Sequence, residues 1–256
     1  MIHPQAIVHP EARIGSGVSV GPWCEIGAEV EIGADTEIAS HVVINGPTTI
    51  GARNRIYPFN ALGGDSQDKK YAGDRVILAI GDGNVIREFC TFNRGTEQGG
   101  GVTRVGNNNW LMAYVHIAHD CVVGDNVVMA NNASLAGHVT VGNHVTLGGF
   151  ALVHQFCTID DHSFVAMGSV VLKDVPPFLM VSGNPAKPHG LNSEGLKRRS
   201  FDDETIRWIR RGYKTVYKKG LGLDEAVNEL KSLVGECSAV REMRVFIEAS
   251  SRGIIR

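Results

Sequence analysis

The chain has 256 residues, a formal charge of −2 at neutral pH and 43% apolar side chains. That length can bury a substantial core in one or two domains, while the near-balanced charge excludes a general affinity for polyanions, nucleic acid among them. No segment reaches the ~18 apolar residues that cross a bilayer, and Met1-Ile2-His3-Pro4 lacks the basic-then-apolar pattern of a leader, so a cytoplasmic location is expected.

From the N-terminus the chain repeats in sixes. Ile2, Val8, Ile14, Val20, Ile26, Ile32, Ile38, Ile44, Ile50, Ile56 and Leu62 are eleven apolar positions without a miss. At this composition such a run arises by chance about once in ten thousand trials, so it is a repeat. The register returns at Ile80, Ile86 and Phe92, then slips by one residue. It continues through Val105, Leu111, Ile117, Val123, Met129, Leu135, Val141, Leu147, Val153, Ile159, Val165 and Val171. Six is neither the helical period of 3.6 nor the strand period of 2. It fits a coil of three short strands, each with one inward aliphatic side chain, so that eighteen residues close one triangular turn. The reading is a hexapeptide-repeat parallel β-helix. Gly15, Gly21, Gly27, Gly33 and Gly51 each follow a rung and are expected to supply the tight backbone at the corners.

Two stretches interrupt the ladder, at about 63–79 and 93–104, and are expected to leave the solenoid as loops. After Val171, Pro176, Pro177, Pro185 and Pro188 predict an extended exit from the solenoid (1–190) into a helical domain (191–256). Asp202 caps one predicted helix, with Ile206, Ile209, Tyr213, Val216 and Tyr217 on its apolar face. Asp224 caps a second, and Val240, Met243, Phe246 and Ile247 stripe a third. Cysteines 24, 90, 121, 157 and 237 are odd in number and form no Cys-x-x-Cys pair, against a disulfide framework or a cysteine zinc site.

The eighteen-residue turn turns sequence distance into stacking at about 4.8 Å per coil. His119 then lies one coil from Gly137 and two from Gln155, Asp120 one coil from His138, and Asn126, His144 and His162 form a separate column. His119, Asp120, Gly137, His138, His154 and Gln155 are expected to converge on one side of the solenoid. Two imidazoles and a carboxylate can supply a base and its orienting partner for activating a hydroxyl near neutral pH.

The ladder, Gln67-Asp68-Lys69-Lys70-Tyr71, Asn93-Arg94-Gly95-Thr96, His116-Ile117-Ala118-His119-Asp120-Cys121, Ala136-Gly137-His138, Val153-His154-Gln155-Phe156 and Asn192-Ser193-Glu194-Gly195-Leu196-Lys197-Arg198-Arg199 together resemble the UDP-N-acetylglucosamine 3-O-acyltransferase family over the whole chain. The resemblance implies a left-handed coil and a homotrimer with active sites between subunits. It implies transfer of a (3R)-3-hydroxyacyl group from acyl carrier protein to the sugar 3-hydroxyl at the start of lipid A synthesis, with no cofactor or metal of its own. His119 is then the general base, Asp120 its orienting partner and the Gly137 N–H an oxyanion donor. Asp68, Lys70, His116, His138, His154, Gln155, Asn192, Glu194, Arg198 and Arg199 hold the nucleotide sugar. Met167 is the acyl-chain ruler, placed about ten carbons from the reacting centre. Asn93 departs from the histidine often found before Arg-Gly-Thr in that family. A second reading is a γ-type carbonic anhydrase with His116, His119 and His138 on zinc, and a third is a CoA-dependent hexapeptide acyltransferase. The 67–71 loop and the 192–199 segment favour the first.

Overall fold

The structure, a computed structural model, describes residues 1–233 and 237–256. Rungs of the ladder form strands of two to four residues that pair in parallel with the strand one coil away. Val122 lies against Thr140 and Val123 against Val141, a spacing of eighteen. Among the described residues this yields three sheets of nine, eight and ten strands. Strands Ile7–Val8, Arg13–Ile14 and Ser19–Val20 open the first, second and third sheets. The result is a left-handed parallel β-helix. Its rungs from Val20 to Val171 are buried and stack on one another, whereas Ile2 at the open first coil remains 45% exposed.

The interruptions are shorter than their sequence boundaries suggest. One strand continues through Gly64 and the next begins at Ile77; the later pair ends at Asn93 and resumes at Val102. Register confirms it, because Leu78 pairs with Thr48 and with Thr103, so the two insertions lengthen their coils without breaking the sheet.

The corners correct one expectation. Left-handed backbone sits three residues after most rungs, and it is carried by residues such as Trp23 (φ 57°), Phe59 (65°), Asp120 (59°), His138 (62°) and Phe156 (64°) rather than by the glycines that directly follow the rungs. Those glycines serve close approach instead. A Cβ at Gly33 would lie 2.5 Å from the Gly51 carbonyl carbon on the next coil. The bulky corner residues gain by stacking outward. Trp23, His41, Phe59, Phe89 and Tyr114 form a ring ladder with centroids 4.8–5.0 Å apart on the corner from third to first sheet.

Inside the corner between the second and third sheets runs a buried asparagine ladder. Asn84 donates its N–H and its side-chain amide to Asn54 Oδ1 at 2.8 and 3.0 Å, and its own Oδ1 accepts the Asn109 N–H at 2.9 Å. Asn84→Ala strands these buried groups and leaves a void, so we expect a loss of about 2–4 kcal/mol, measured as a lowered denaturant midpoint. An unchanged midpoint would mean that water replaces the amide.

The exit is a hairpin rather than an extended linker: Leu179–Gly183 pairs antiparallel with Ala186–Leu191 at the end of the third sheet. Helices α1 (Ser193–Arg198), α2 (Asp203–Tyr217), α3 (Leu223–Leu233) and α4 (Ser238–Ala249) follow. Asp202 caps α2 by accepting from the Thr205 N–H, as expected. Asp224 does not cap α3; it lies inside the first turn, where its charge favours the helix dipole. The tail then returns to the last coil, where Ile254 bridges Asp174 and Ser250 Oγ donates to Asp174 Oδ2 at 2.6 Å, covering the final strand edge. No described helix is long and apolar enough to cross a membrane.

Candidate active site

The strand His116–Ile117 buries Ile117 and aims His116 outward, after which the chain turns the corner from first to second sheet through His119 and the left-handed Asp120. One coil on, Ser134–Leu135 pairs with that strand, which carries Gly137 over His119 and His138 over Asp120. The packing is close. A Cβ at Gly137 would fall 2.5 Å from His119 Cε1 and 2.6 Å from Nε2. His119 Nδ1 lies 2.8 Å from Asp120 Oδ2, and His138 Nε2 lies 3.7 Å from the same oxygen. The Phe156 ring stacks on His138, centroids 4.4 Å apart.

Asp120 is buried, and its charge is met by the second insertion. Thr96 donates its N–H to Oδ1 at 2.8 Å and its hydroxyl to Oδ2 at 2.6 Å, while the Asp120 N–H donates to Thr103 Oγ1 at 2.8 Å. The first insertion supplies the facing wall. Gln67, Asp68, Lys69 and Lys70 join His116, His119, His138, Gln155 and Phe156 around a cleft of about 560 Å³. Arg94 links the two insertions, bonding Asp65 on one side and the Gly46 carbonyl on the other.

Burial favours the neutral form of two imidazoles lining the cleft, His116 and His138. Burial lowers the pKa of His116, whose Nδ1 is 2.8 Å from Thr91 Oγ1, and burial likewise lowers that of His138 against the opposing pull of Asp120. Ligand-type atoms of His119, Asp120 and His138 lie within 4.8 Å of one another, a set that differs from the His116, His119 and His138 triad of the zinc reading. An ion there would displace the 2.8 Å hydrogen bond of His119.

Not every expected residue reaches the cleft. His154 turns away toward the C-terminal tail, with Nδ1 3.4 Å from Arg252 Nη2, a partner 98 positions distant that spacing cannot reveal. Asn192, Glu194, Arg198 and Arg199 sit at another corner, between second and third sheets. There the Asn192 amide donates to the His162 carbonyl at 2.9 Å, and the His162 ring stacks on His144, centroids 4.9 Å apart. Burial, with help from His144 and Arg199, pushes His162 down to about 4, so this ring is neutral at pH 7. Stability from the neutral ring is complete above the ordinary histidine range near 6.5 and is lost as pH falls through about 4. Met167 lies on the third corner and is 77% exposed. Thr96, Thr103, Gln98 and Phe156 also border the site although the sequence assigned them no role; Thr96 and Phe156 fall within the motifs quoted above, and Phe156 follows His138 by eighteen positions.

The family model for "Udp N-acetylglucosamine O-acyltransferase; Domain 2" matches residues 174–255, and the bacterial transferase hexapeptide model matches 11–46 and 103–137. An acyl-(acyl-carrier-protein)–UDP-N-acetylglucosamine O-acyltransferase of Thiobacillus denitrificans is 55% identical over 204 residues, covering 80% of this chain and 79% of its own length. One from Xanthomonas euvesicatoria is 55% identical over 217 residues, covering 84% and 82%. Among solved structures, UDP-N-acetylglucosamine O-acyltransferase of Moraxella catarrhalis superposes with a TM-score of 0.98 at 49% identity, covering 100% of this chain and 99% of that one. The Francisella novicida enzyme gives 0.98 at 43% identity, covering 100% and 94%. With such identity over four-fifths of its length and the same fold throughout, the chain belongs to the UDP-N-acetylglucosamine O-acyltransferase family.

Proposed function

We propose that this chain moves a (3R)-3-hydroxyacyl group from acyl carrier protein to the 3-hydroxyl of UDP-N-acetylglucosamine, the opening step of lipid A synthesis, in the cytoplasm. The observation that carries the reading is the His119–Asp120 pair held against Gly137 at the wall of an open cleft. Asp120 engages Nδ1 and leaves Nε2 to act as base. Nε2 takes the proton of the sugar hydroxyl as its oxygen attacks the thioester carbonyl. The oxyanion is met by the Gly137 N–H, which donates to no acceptor among the described residues. Collapse expels the thiolate of the carrier's phosphopantetheine arm, which recovers the proton from His119.

His116, His138, Gln155, Asp68 and Lys70 would hold the sugar from the same chain. Asn192, Glu194, Arg198, Arg199 and Met167 would reach it from a neighbour, because each lies on a different corner from His119. A homotrimer with the site between subunits supplies that neighbour. Exposed Arg207, Arg210 and Arg211 on α2 offer a basic surface for the acidic carrier protein, a contact that salt should weaken.

Met167 decides the donor in this reading. It lies 48 positions after His119 with no insertion between them, about 2.7 coils or roughly 13 Å along the axis. At roughly 1.25 Å per carbon that is an acyl chain of about ten carbons. Its 77% exposure in the single chain supports this reading over that of a packing residue of the prism. We expect the unmodified protein to acylate UDP-N-acetylglucosamine best from ten-carbon carrier thioesters, and Met167→Gly to shift preference toward twelve and fourteen. Mass spectrometry of the products reads both, and an unaltered length profile would place the ruler elsewhere.

A further inference from the structure

We propose that Thr96, on the second insertion, is the positioning residue that holds the Asp120 carboxylate in place as the partner of His119. The inference rests on the reading of His119 as general base. Asp120 is a buried carboxylate with no lysine or arginine within 4 Å among the described residues; only His119 and His138 approach it. A buried charge needs donors, and Thr96 provides one to each oxygen, the N–H at 2.8 Å and the hydroxyl at 2.6 Å. The same hydroxyl accepts the Gly99 N–H at 3.1 Å, so it is polarised toward the carboxylate. The loop is shaped to bring it there. Glu97–Gly99 forms a single 3-10 turn capped by Thr96, and a Cβ at Gly99 would fall 2.0 Å from Asp120 Cγ. The turn thus lies flat on the carboxylate, and any side chain at 99 would push it off.

The hydroxyl donates to Oδ2, the oxygen that also faces His119 Nδ1 at 2.8 Å. It therefore fixes the carboxylate rotation on which the imidazole depends, and it offsets part of the negative charge that an imidazolium would otherwise feel. Titratable groups facing this carboxylate are His119 and the Cys121 thiol from its own coil and His138 from the next, with His116 and Asp68 beyond the two histidines. Without the hydroxyl the carboxylate charge is less neutralised, the His119–Asp120 pair holds its proton to higher pH, and the acid limb of the kcat/KM profile moves upward.

We expect Thr96→Val to lower kcat about ten- to a hundredfold, to leave the sugar KM within about threefold, and to raise the acid limb by about one pH unit. Thr96→Ser, which keeps both hydrogen bonds, should restore the wild-type limb. In an Asp120→Asn background, Thr96→Val should cost little more, because the group it acts through is already lost. If Thr96→Val does not fold, Thr96→Ala carries the same measurements. An unmoved limb, or losses that multiply in the Asp120→Asn background, would reduce Thr96 to a loop cap and overturn the proposal. His119→Ala run alongside separates the two readings: full turnover there sinks the base, whereas a dead His119→Ala enzyme beside an unmoved Thr96 limb sinks only this inference.

Discussion

His119→Ala is expected to lower turnover by about 10²–10⁴ while the protein stays folded, the largest effect of any single substitution in the cleft. The fold should survive because His119 stands at a corner and contributes no rung; Ile117 and Leu135, both fully buried, carry the packing on either side. Alanine also creates no clash, since it removes the imidazole that lies close against the bare Gly137 backbone. Residual activity should remain, because the Gly137 N–H and the binding groups of the cleft still orient the reactants. Asp120→Asn should cost less than His119→Ala, for it keeps the imidazole and weakens only its field and tautomer. Steady-state transfer rates beside circular dichroism check both variants. A folded His119→Ala protein that turns over at the wild-type rate would transfer the role of base to His116 or His138.

The solenoid was legible because every inward position repeats at one interval and burial enforces it: Ile26, Ile44 and Leu62 stack on one sheet, each 1% exposed or less. Stacking at eighteen also made half of the site legible. His119 under Gly137 and Asp120 under His138 need only arithmetic once the period is known. Three features escaped for physical reasons. The left-handed corners lie at aromatic and polar residues, and the glycine rule fails there because outward stacking stabilises what an isolated side chain would avoid. Asn54, Asn84 and Asn109 lie between the apolar rungs, so the hexapeptide period passes over them, whereas they replace missing backbone partners at the turns. Thr96 reaches Asp120 across 24 residues, a separation that no multiple of the coil predicts because an insertion folds back. Asn192, Glu194, Arg198, Arg199 and Met167 lie on other corners, so only the family resemblance joined them to His119.

Arg199→Ala is expected to raise the KM for UDP-N-acetylglucosamine about 10- to 150-fold with little change in kcat, the loss of a charge-assisted contact to diphosphate of about 1.5–3 kcal/mol. Arg198 and Arg199 end α1 side by side, and neither has a carboxylate within 4 Å among the described residues; the nearby Glu194 pairs with Lys197 at 4.0 Å. Burial and the adjacent Arg198 charge both lower the pKa of Arg199, the cost of crowding two guanidinium groups without an anion. Neighbouring His144 and His162 stay uncharged and so add no further repulsion at neutral pH. A diphosphate between the two guanidinium groups would offset that repulsion, which is the expectation that separates a binding site from a solvated helix end. The segment is anchored independently of the arginines, through the Asn192 amide on the His162 carbonyl and the buried Leu196, so truncating Arg199 should not release it. Calorimetric titration with UDP-N-acetylglucosamine gives the affinity directly, and raised salt should narrow the gap between variant and wild type. Nucleotide affinity unchanged from wild type in both Arg199→Ala and Arg198→Ala would leave the two residues as solvated ends of α1 and remove this corner from the site.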